Sequence, residues 1–286
     1  MTTIPNLGNE SWLTAEPVQR LLTILSAGDG EARIAGGAVR NALIGEPIAD
    51  IDIATTLPPW RVTELVTRAG MSVHATGLAH GTVTVVVHDD DGTHALEVTT
   101  LRVDAETDGR RAKVVFTDDW VADASRRDFT INAMFCDADG TVHDPLGGYD
   151  DLIARTVRFA GDPDARITED YLRILRFFRF HARYGTGDMD AAALKACTDH
   201  KQALSQLSGE RVRAELLKLL VARNVIETVA VMDRHGIFQC AFPAELRLTA
   251  LEHMCDIDAA SELPADAELR LCVLIDPHRA PPVSYT

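Results

Sequence analysis

The sequence predicts an α+β chain, a mixed-sheet domain followed by all-helical domains, and three observations predict it. Apolar alternation typical of half-buried strands is confined to the first half, above all in "TVTVVVHDDDGTHALEVTTL" (82–101), two runs joined by an Asp/Gly turn. Helical apolar spacing interleaves with these strands up to about residue 150. After "DPLGGYDD" (144–151) the pattern is helical almost to the end, which sets the expected boundary between a domain at 1–150 and helical segments at 151–223 and 224–286.

Each element has its own signal. Thr14 is the expected cap of a helix carrying Val18, Leu21, Leu22 and Leu25, with Gly28 beyond its end. "ARIAGG" (32–37) reads as a strand entering a glycine turn, and "AVRNALIG" (38–45) as a short helix closed by Gly45. "ADIDIATT" (49–56) alternates and is β-branched, so a strand is expected. "PPWRVTELVTRAG" (58–70) has proline at its start, Val62, Leu65, Val66 and Ala69 on one side, and a terminal glycine, the pattern of a helix. From Leu101 to about Val121 periodicity is weak, and a long mobile loop is expected.

Composition bounds the function. Apolar residues make up 46% and charged residues 25%, as in an ordinary globular chain long enough for two or three domains. No apolar run approaches the roughly 18 residues of a membrane span, and "MTTIPNLGNESW" lacks the basic and apolar regions of a signal peptide. Five scattered cysteines without CxxC spacing fit free thiols in a reducing cytoplasm, not a zinc site or disulfide framework. A net charge of -15 argues against a nucleic-acid partner. Residues 155–223, however, hold 13 Lys and Arg against 9 Asp and Glu, leaving 15 against 34 elsewhere. One basic segment on an acidic chain can still meet phosphates if its side chains share a face.

The chemistry centres on "GGAVRNALIGEPIADIDIATT" (36–56). On a strand, residues i and i+2 point the same way, so Asp50 and Asp52 are expected side by side, with Ile51 and Ile53 toward the core. Two such carboxylates repel unless protonated or bridged by cations. Mg²⁺ prefers oxygen ligands and recruits phosphate oxygens, the arrangement used in nucleotidyl transfer; the alternative is a solvated acidic pair at a strand end. Gly36 and Gly37 precede a helix start, which favours an anion, and Arg40 lies one turn in. Glu97 is either a third carboxylate from a neighbouring strand or a hairpin surface residue.

Downstream, Arg173, Arg176, Arg179 and Arg183 recur at spacings of three, three and four, a basic stripe opposite Leu172, Leu175 and Phe178. Asp170 and Arg173 are three apart on the expected helix and so share a face. A carboxylate accepts from the exocyclic amine of cytosine or adenine, and a guanidinium donates to their acceptors. Guanine and uracil would present a carbonyl to that carboxylate. The alternative is a surface ion pair. "GERVRAELLKLL" (209–220) is amphipathic and basic, suited equally to an RNA contact or to an ordinary packed helix.

These blocks, together with "HGTVTVVVHDDDGTHALEVTTLR", "RRDFTINAM", "DPLGGYDDLIARTVRFAGDPDARITEDYLRILRFFRFHARYG" and the weaker "SGERVRAELLKLL", occur in order over residues 31–223. The chain thereby resembles the bacterial CCA-adding tRNA nucleotidyltransferase and poly(A) polymerase family, the class II branch of the polymerase-β-like nucleotidyltransferases. The resemblance implies a nucleotidyltransferase head (1–150), a nucleotide-selecting neck (151–223) and a helical body (224–286). It makes Asp50 and Asp52 the Mg²⁺ ligands, with Glu97 the third catalytic carboxylate. Gly36, Gly37 and Arg40 become triphosphate contacts, and Arg127 and Asp128 hold the sugar and phosphates. Asp170 and Arg173 become the amino-acid template for the base, while Arg176 and Arg179 reach the triphosphate.

The implied reaction adds C, C and A to tRNA 3′ ends from CTP and ATP in the cytoplasm, releasing pyrophosphate. A poly(A) polymerase, an inactive RNA-binding homologue and an enzyme acting on a small-molecule hydroxyl are the alternatives. Two departures stand out. Asn41 replaces the aspartate common after "GGAVR", with a small effect expected, and the chain stops at "DPHRAPPVSYT", before the tail expected to grip the tRNA elbow. The loop at about 102–120 is not visibly shortened, which favours complete CCA addition.

Overall fold

Alternating strand residues commit one face of a sheet to helices and leave the other for chemistry. The computed structural model describes residues 3–89, 92–104, 114–242, 244–261 and 264–275. It divides into two units, Met1–Ala154 and Arg155–Thr286.

The first unit holds strands β1 (Ala32–Ala35), β2 (Asp52–Thr55), β3 (Ser72–Gly77), β4 (Thr82–Asp89), β5 (Gly92–Thr100), β6 (Arg102–Asp104), β7 (Val114–Phe116), β8 (Phe135–Cys136) and β9 (Val142–His143). Its helices are α1 (Ser11–Thr14), α2 (Glu16–Leu25), α3 (Gly37–Leu43), α4 (Pro59–Arg68), α5 (Trp120–Ser125) and α6 (Gly148–Ile153). Seven strands form one sheet in the order β3-β4-β5-β2-β1-β8-β9, and β6 pairs with β7 in a separate ribbon. The β2–β5 pair is parallel and the other pairs are antiparallel, so the sheet is mixed as expected.

Ile34, Ile53, Val83, Val85 and Val98 are buried on one face, where α2 and α4 pack. Val18, Leu21, Leu22 and Leu25 of α2 and Val62 and Val66 of α4 supply the opposing surface, all nearly inaccessible. Burying a side chain of this size stabilises by about 1.5–3 kcal/mol. On the opposite face, Ala35, Ala54 and Phe135 join Leu101, Ala124 and Ala133 in a second core under α5, with Trp120 packed against it.

The second unit is helical: α7 (Pro163–Glu169), α8 (Leu172–Tyr184), α9 (Ala191–Asp199), α10 (Gly209–Leu220), α11 (Val225–Arg234), α12 (Ile237–Ala241), α13 (Leu248–Ser261) and α14 (Ala267–Leu274). Ile174, Leu175, Phe177 and Phe178 form the buried stripe of α8, and Phe159 stacks on Phe177 at 5.7 Å. Among the described residues, no helix is long and apolar enough to cross a membrane.

Three expectations need correction, and one strand is an addition. Thr14 does not cap α2; its hydroxyl bonds Glu10 O and Ser11 O, and extended Ala15 separates α1 from α2. β2 begins only at Asp52, because its pairing with β1 ends at Ala35↔Asp52, where the partner strand turns into Gly36. β3 has no strong alternation and was not expected; it is held as an edge by pairing with β4. The stretch after Leu101 is not wholly irregular, since β6 and β7 pair and α5 starts at Trp120 under an Asp119 cap. The rest of the expected loop, residues 105–113, lies outside the described residues, as do 276–286.

Candidate active site

The register of the large sheet aligns one residue from every strand: His74, Thr84, Glu97, Asp52, Ala35, Phe135 and His143. Side chains of register partners lie on the same face, so Asp52 and Glu97 stand adjacent, about 5 Å apart at the strand spacing. Glu97 is therefore a neighbour of Asp52 and not an isolated hairpin residue. Asp50 precedes the strand, so the i, i+2 argument does not position it. Its carboxylate nevertheless acts on Asp52, and both line one cleft.

Asp52 has its pKa raised, first by crowding of its carboxyl by protein, then by the charge of Glu97, with Arg127 opposing and Asp50 adding to the rise. Among the described residues, no cluster of three His, Cys, Asp or Glu side chains stands ready to hold a metal ion by itself.

Asp52 and Glu97 line two clefts. One, of about 300 Å³, is also lined by Asp123 and the arginines Arg102, Arg126 and Arg127. The other is lined by Asp50, Thr84 and Thr93 among its residues. The arginines are organised by Asp123, which is 1% exposed. Arg126 donates to Asp123 Oδ1 at 2.8 Å and Arg127 to Oδ2 at 3.0 Å, and the Arg102 backbone N–H reaches Oδ1 at 3.2 Å. Burial alone would raise the Asp123 pKa, but the charges of Arg127 and Arg126 outweigh it and hold the carboxyl below its ordinary value. Arg127 also lies 4.9 Å over the ring of Phe135. Sequence reasoning singled out Arg127 but missed Asp123, Arg126 and Arg102. The i, i+3 and i, i+4 spacing of Asp123 to the two arginines was the available signal.

The glycine turn is built around a positive backbone angle. Gly36 has φ +66° and its amide bonds Met134 O at 3.0 Å. A Cβ at Gly36 would come within 3.1 Å of Arg127 Nη1, so a side chain there would strain the backbone and press on that guanidinium. Gly37 opens α3. Arg40 is buried; its Nε and Nη2 donate to Asn41 Oδ1 at 3.0 and 2.8 Å, and its Nη1 donates to Asn132 Oδ1. Asn41 in turn donates to Pro47 O at 2.7 Å. The neutral amide at 41 thus accepts from Arg40 and donates to Pro47 O, the second of which an ionised aspartate could not do. Asp128 accepts from Phe129 N and from Asn132 Nδ2, both at 2.9 Å, tying "RRDFTIN" into one turn.

In the second unit, Asp170 is not helical. Its φ of -153° breaks the chain between α7 and α8, so Asp170 and Arg173 do not share a helix face as expected. Asp170 receives Arg211 of α10 at 2.8 Å. Arg173 donates to Glu169 Oε2 at 2.6 Å and to Arg166 O at 2.9 Å. Arg179 donates to buried Glu215 at 2.5 Å and lies over Phe180, as does Arg176. Arg183 is exposed beside Tyr184. α10 buries Val212, Leu216, Leu219 and Leu220 while presenting Arg211 to Asp170, so it is a packed helix with a polar edge.

Elsewhere the cysteines are free, and burial, with Asp137 adding, pushes the Cys136 thiol up to about 12, which removes it from nucleophilic chemistry. His143 bonds Asp137 at 2.6 Å and His88 bonds Thr93 at 3.0 Å.

With this geometry in view, the comparisons define the class. Residues 32–158 match the family described as the poly A polymerase head domain, and residues 188–245 match the probable RNA and SrmB-binding site of polymerase A. That first segment takes in every element from β1 to α6. Among particular proteins, the chain is similar to the mitochondrial CCA tRNA nucleotidyltransferase 1 of Homo sapiens, 45% identical over 74% of this chain and 49% of that protein. It is 39% identical to the CCA-adding enzyme of Geobacillus thermodenitrificans over 72% of this chain and 50% of the relative. The CCA-adding enzyme of Bacillus stearothermophilus, solved in complex with CTP, superposes with a TM-score of 0.68 at 31% identity, over 85% of this chain and 56% of that one. The chain thus spans about half the length of the curated relatives it matches.

Proposed function

We propose that this chain is the catalytic portion of a CCA-adding tRNA nucleotidyltransferase of the class II, polymerase-β-like kind, working in the cytoplasm. The observation that carries the reading is the in-register Asp52–Glu97 pair beside a cleft of three arginines, on a chain whose relatives are named CCA-adding. The residues 1–150 serve as the nucleotidyltransferase head, 151–223 as the neck that selects the base, and 224–286 as the body.

The donor set fits a divalent cation. Asp50, Asp52 and Glu97 offer hard oxygen ligands, and their mutual repulsion already disfavours an ionised Asp52. Asp50 and Asp52 would hold Mg²⁺, with Glu97 beside them; the bound ion supplies charge stabilisation at the reacting phosphate and a more acidic attacking hydroxyl.

The protein's own groups do the rest. Arg127 and Arg126, locked by Asp123, hold the triphosphate of CTP or ATP with Arg102. With the Gly36 amide committed to Met134 O, Gly37 at the start of α3 offers the backbone N–H to it, and buried Arg40 adds positive charge behind that turn. Asp128 orders the turn facing the sugar. In the neck, Asp170 accepts from the exocyclic amine of cytosine or adenine while Arg173, steadied by Glu169, donates to the ring. Arg176 and Arg179, on the same helix as Arg173, serve as the neck's own phosphate-binding side chains. The 3′-hydroxyl of the tRNA attacks the α-phosphorus, the bond to the bridging oxygen breaks, and pyrophosphate leaves.

The test is incubation with a tRNA lacking its 3′ end and CTP and ATP, separately and together. Three-residue products that require CTP support the reading. Long A tracts made without CTP identify a poly(A) polymerase instead, and no incorporation identifies an inactive homologue.

A further inference from the structure

Arg127 reaches the cleft at the end of a stack of four side chains on the open face of the large sheet. The Arg33 guanidinium lies 4.1 Å over the Trp120 ring. Trp120 meets Phe135 edge to face at 4.9 Å, and Phe135 in turn carries Arg127 at 4.9 Å. Register places the strand members of this stack together. Arg33 pairs with Ala54 and Ala35 with both Asp52 and Phe135, so Arg33 and Phe135 share the face of Asp52.

Both ends of the stack are held by carboxylates. Arg33 Nε donates to Asp137 Oδ1 at 2.9 Å and its Nη2 to Glu31 Oε2 at 3.1 Å, while the Trp120 indole N–H donates to the same Glu31 oxygen at 2.8 Å. At the other end Arg127 donates to Asp123 Oδ2 through Nε and Nη2, at 3.2 and 3.0 Å, and to Asn132 O through Nη1 at 3.3 Å. A guanidinium bonded through all three nitrogens above a buried ring has its direction set by where Asp123 and Phe135 sit.

α5 carries that control. Its six residues are too few to hold a helix by backbone bonds alone, so tertiary anchors must fix it. Trp120 and Asp123, three apart, share its inner face, whereas Val121 is exposed. The seat of Trp120 on Arg33 and Glu31 therefore sets the tilt of α5, and with it the carboxylate that aims Arg126 and Arg127.

We infer that Trp120 is a positioning residue for the phosphate side of the reaction, acting on Arg127 and Arg126 from outside the cleft. Trp120 is not among the cleft's lining residues. CTP and ATP share the triphosphate and differ in the base, so both depend on Trp120 to the same degree. The inference rests on the nucleotidyltransferase reading above and adds a residue that this reading does not use.

Inorganic tripolyphosphate, which presents the phosphates without a base, is the probe. It is titrated by calorimetry with Ca²⁺, at a temperature where each variant is fully folded. Trp120→Ala is expected to weaken binding about tenfold, while Trp120→Phe, which keeps a ring between Arg33 and Phe135, stays within about twofold of wild type. Arg33→Ala removes the guanidinium without emptying the core and should weaken binding about fourfold, which decides the matter if Trp120→Ala does not fold. In turnover, Trp120→Ala should raise the KM for CTP and for ATP by the same factor, with kcat within about threefold. A lowered melting temperature with unchanged tripolyphosphate affinity would reduce Trp120 to a structural role and overturn the inference. A shift in the preference between CTP and ATP, or a wild-type protein that does not bind tripolyphosphate, would overturn it as well. Wild-type CMP incorporation is scored separately; its absence with the binding phenotypes intact would refute the CCA-adding reading and leave the role of Trp120 standing.

Discussion

Asp52 and Glu97 are register partners on the parallel pair β2–β5, which holds two carboxylates at the strand spacing on the face that α2 and α4 leave open. The sheet, not a flexible loop, therefore fixes their separation. The electrostatic consequence is visible in Asp52, whose pKa is raised by protein crowding and by Glu97.

Because its folded pKa is raised, Asp52 retains its proton to higher pH in the folded state than in the unfolded chain. Its charge therefore costs stability once pH climbs above the ordinary carboxylate value near 3.9. Asp52→Asn is expected to stabilise the metal-free protein at pH 7 and to flatten the fall in stability between pH 4 and 7, measured by urea denaturation. The same substitution should lower nucleotide incorporation by about 10³-fold, the equivalent of about 4 kcal/mol of lost charge stabilisation.

Asp123 has the opposite sign. Its pKa is depressed by Arg127 and Arg126 against the effect of burial, so its contribution is present above the unfolded value and lost as pH falls through the folded one. Asp123→Ala leaves two arginines without their shared buried anchor, and a loss of about 3–5 kcal/mol is expected. Asp123→Asn keeps the shape; it should make the acid limb of the stability profile shallower and raise the KM for CTP more than it lowers kcat.

Much of this was legible in the sequence, for physical reasons that can be named. The strand alternation of "TVTVVV" and the apolar spacing in α2, α4 and α8 determine which residues are buried, and those elements formed where periodicity placed them. The sequence left Glu97 open between a third carboxylate and a hairpin surface residue, because register between β2 and β5 depends on a parallel pairing that no local pattern encodes. Spacing misled at two positions. Asp50 and Asp52 suggested one strand, but β1 offers no partner beyond Asp52. Asp170 and Arg173 suggested one helix face, but the extended backbone of Asp170 ends α7, and Arg173 meets Glu169 instead.

That break makes a separate prediction for base choice. Asp170→Ala is expected to erode discrimination against UTP and GTP by about 10- to 100-fold. Arg211→Ala removes only a half-exposed pair with Asp170 and should change discrimination by no more than about fivefold. Competition assays with paired nucleotides measure both ratios.

His181 supplies a third pH effect, in the second unit. Burial lowers its pKa, with a backbone contact to Gly187 partly opposing, and its ring sits so close to Gly185 that a Cβ there would overlap it. The unfolded chain takes up a proton near the ordinary value of about 6.5 while the folded state resists it. Stability should therefore decline as pH falls below that value, and His181→Asn should remove this part of the decline in thermal melts between pH 7 and 5.

The central claim is tested most directly by giving the protein a tRNA that ends before its CCA, with CTP and ATP together, and sequencing the extended 3′ ends for wild type and Asp52→Asn. Wild type is expected to add C, C and A and stop, and Asp52→Asn, slower by about 10³-fold, to leave nearly all ends unextended over the same period. Untemplated A tracts from wild type, or CCA ends produced equally well by Asp52→Asn, would contradict it.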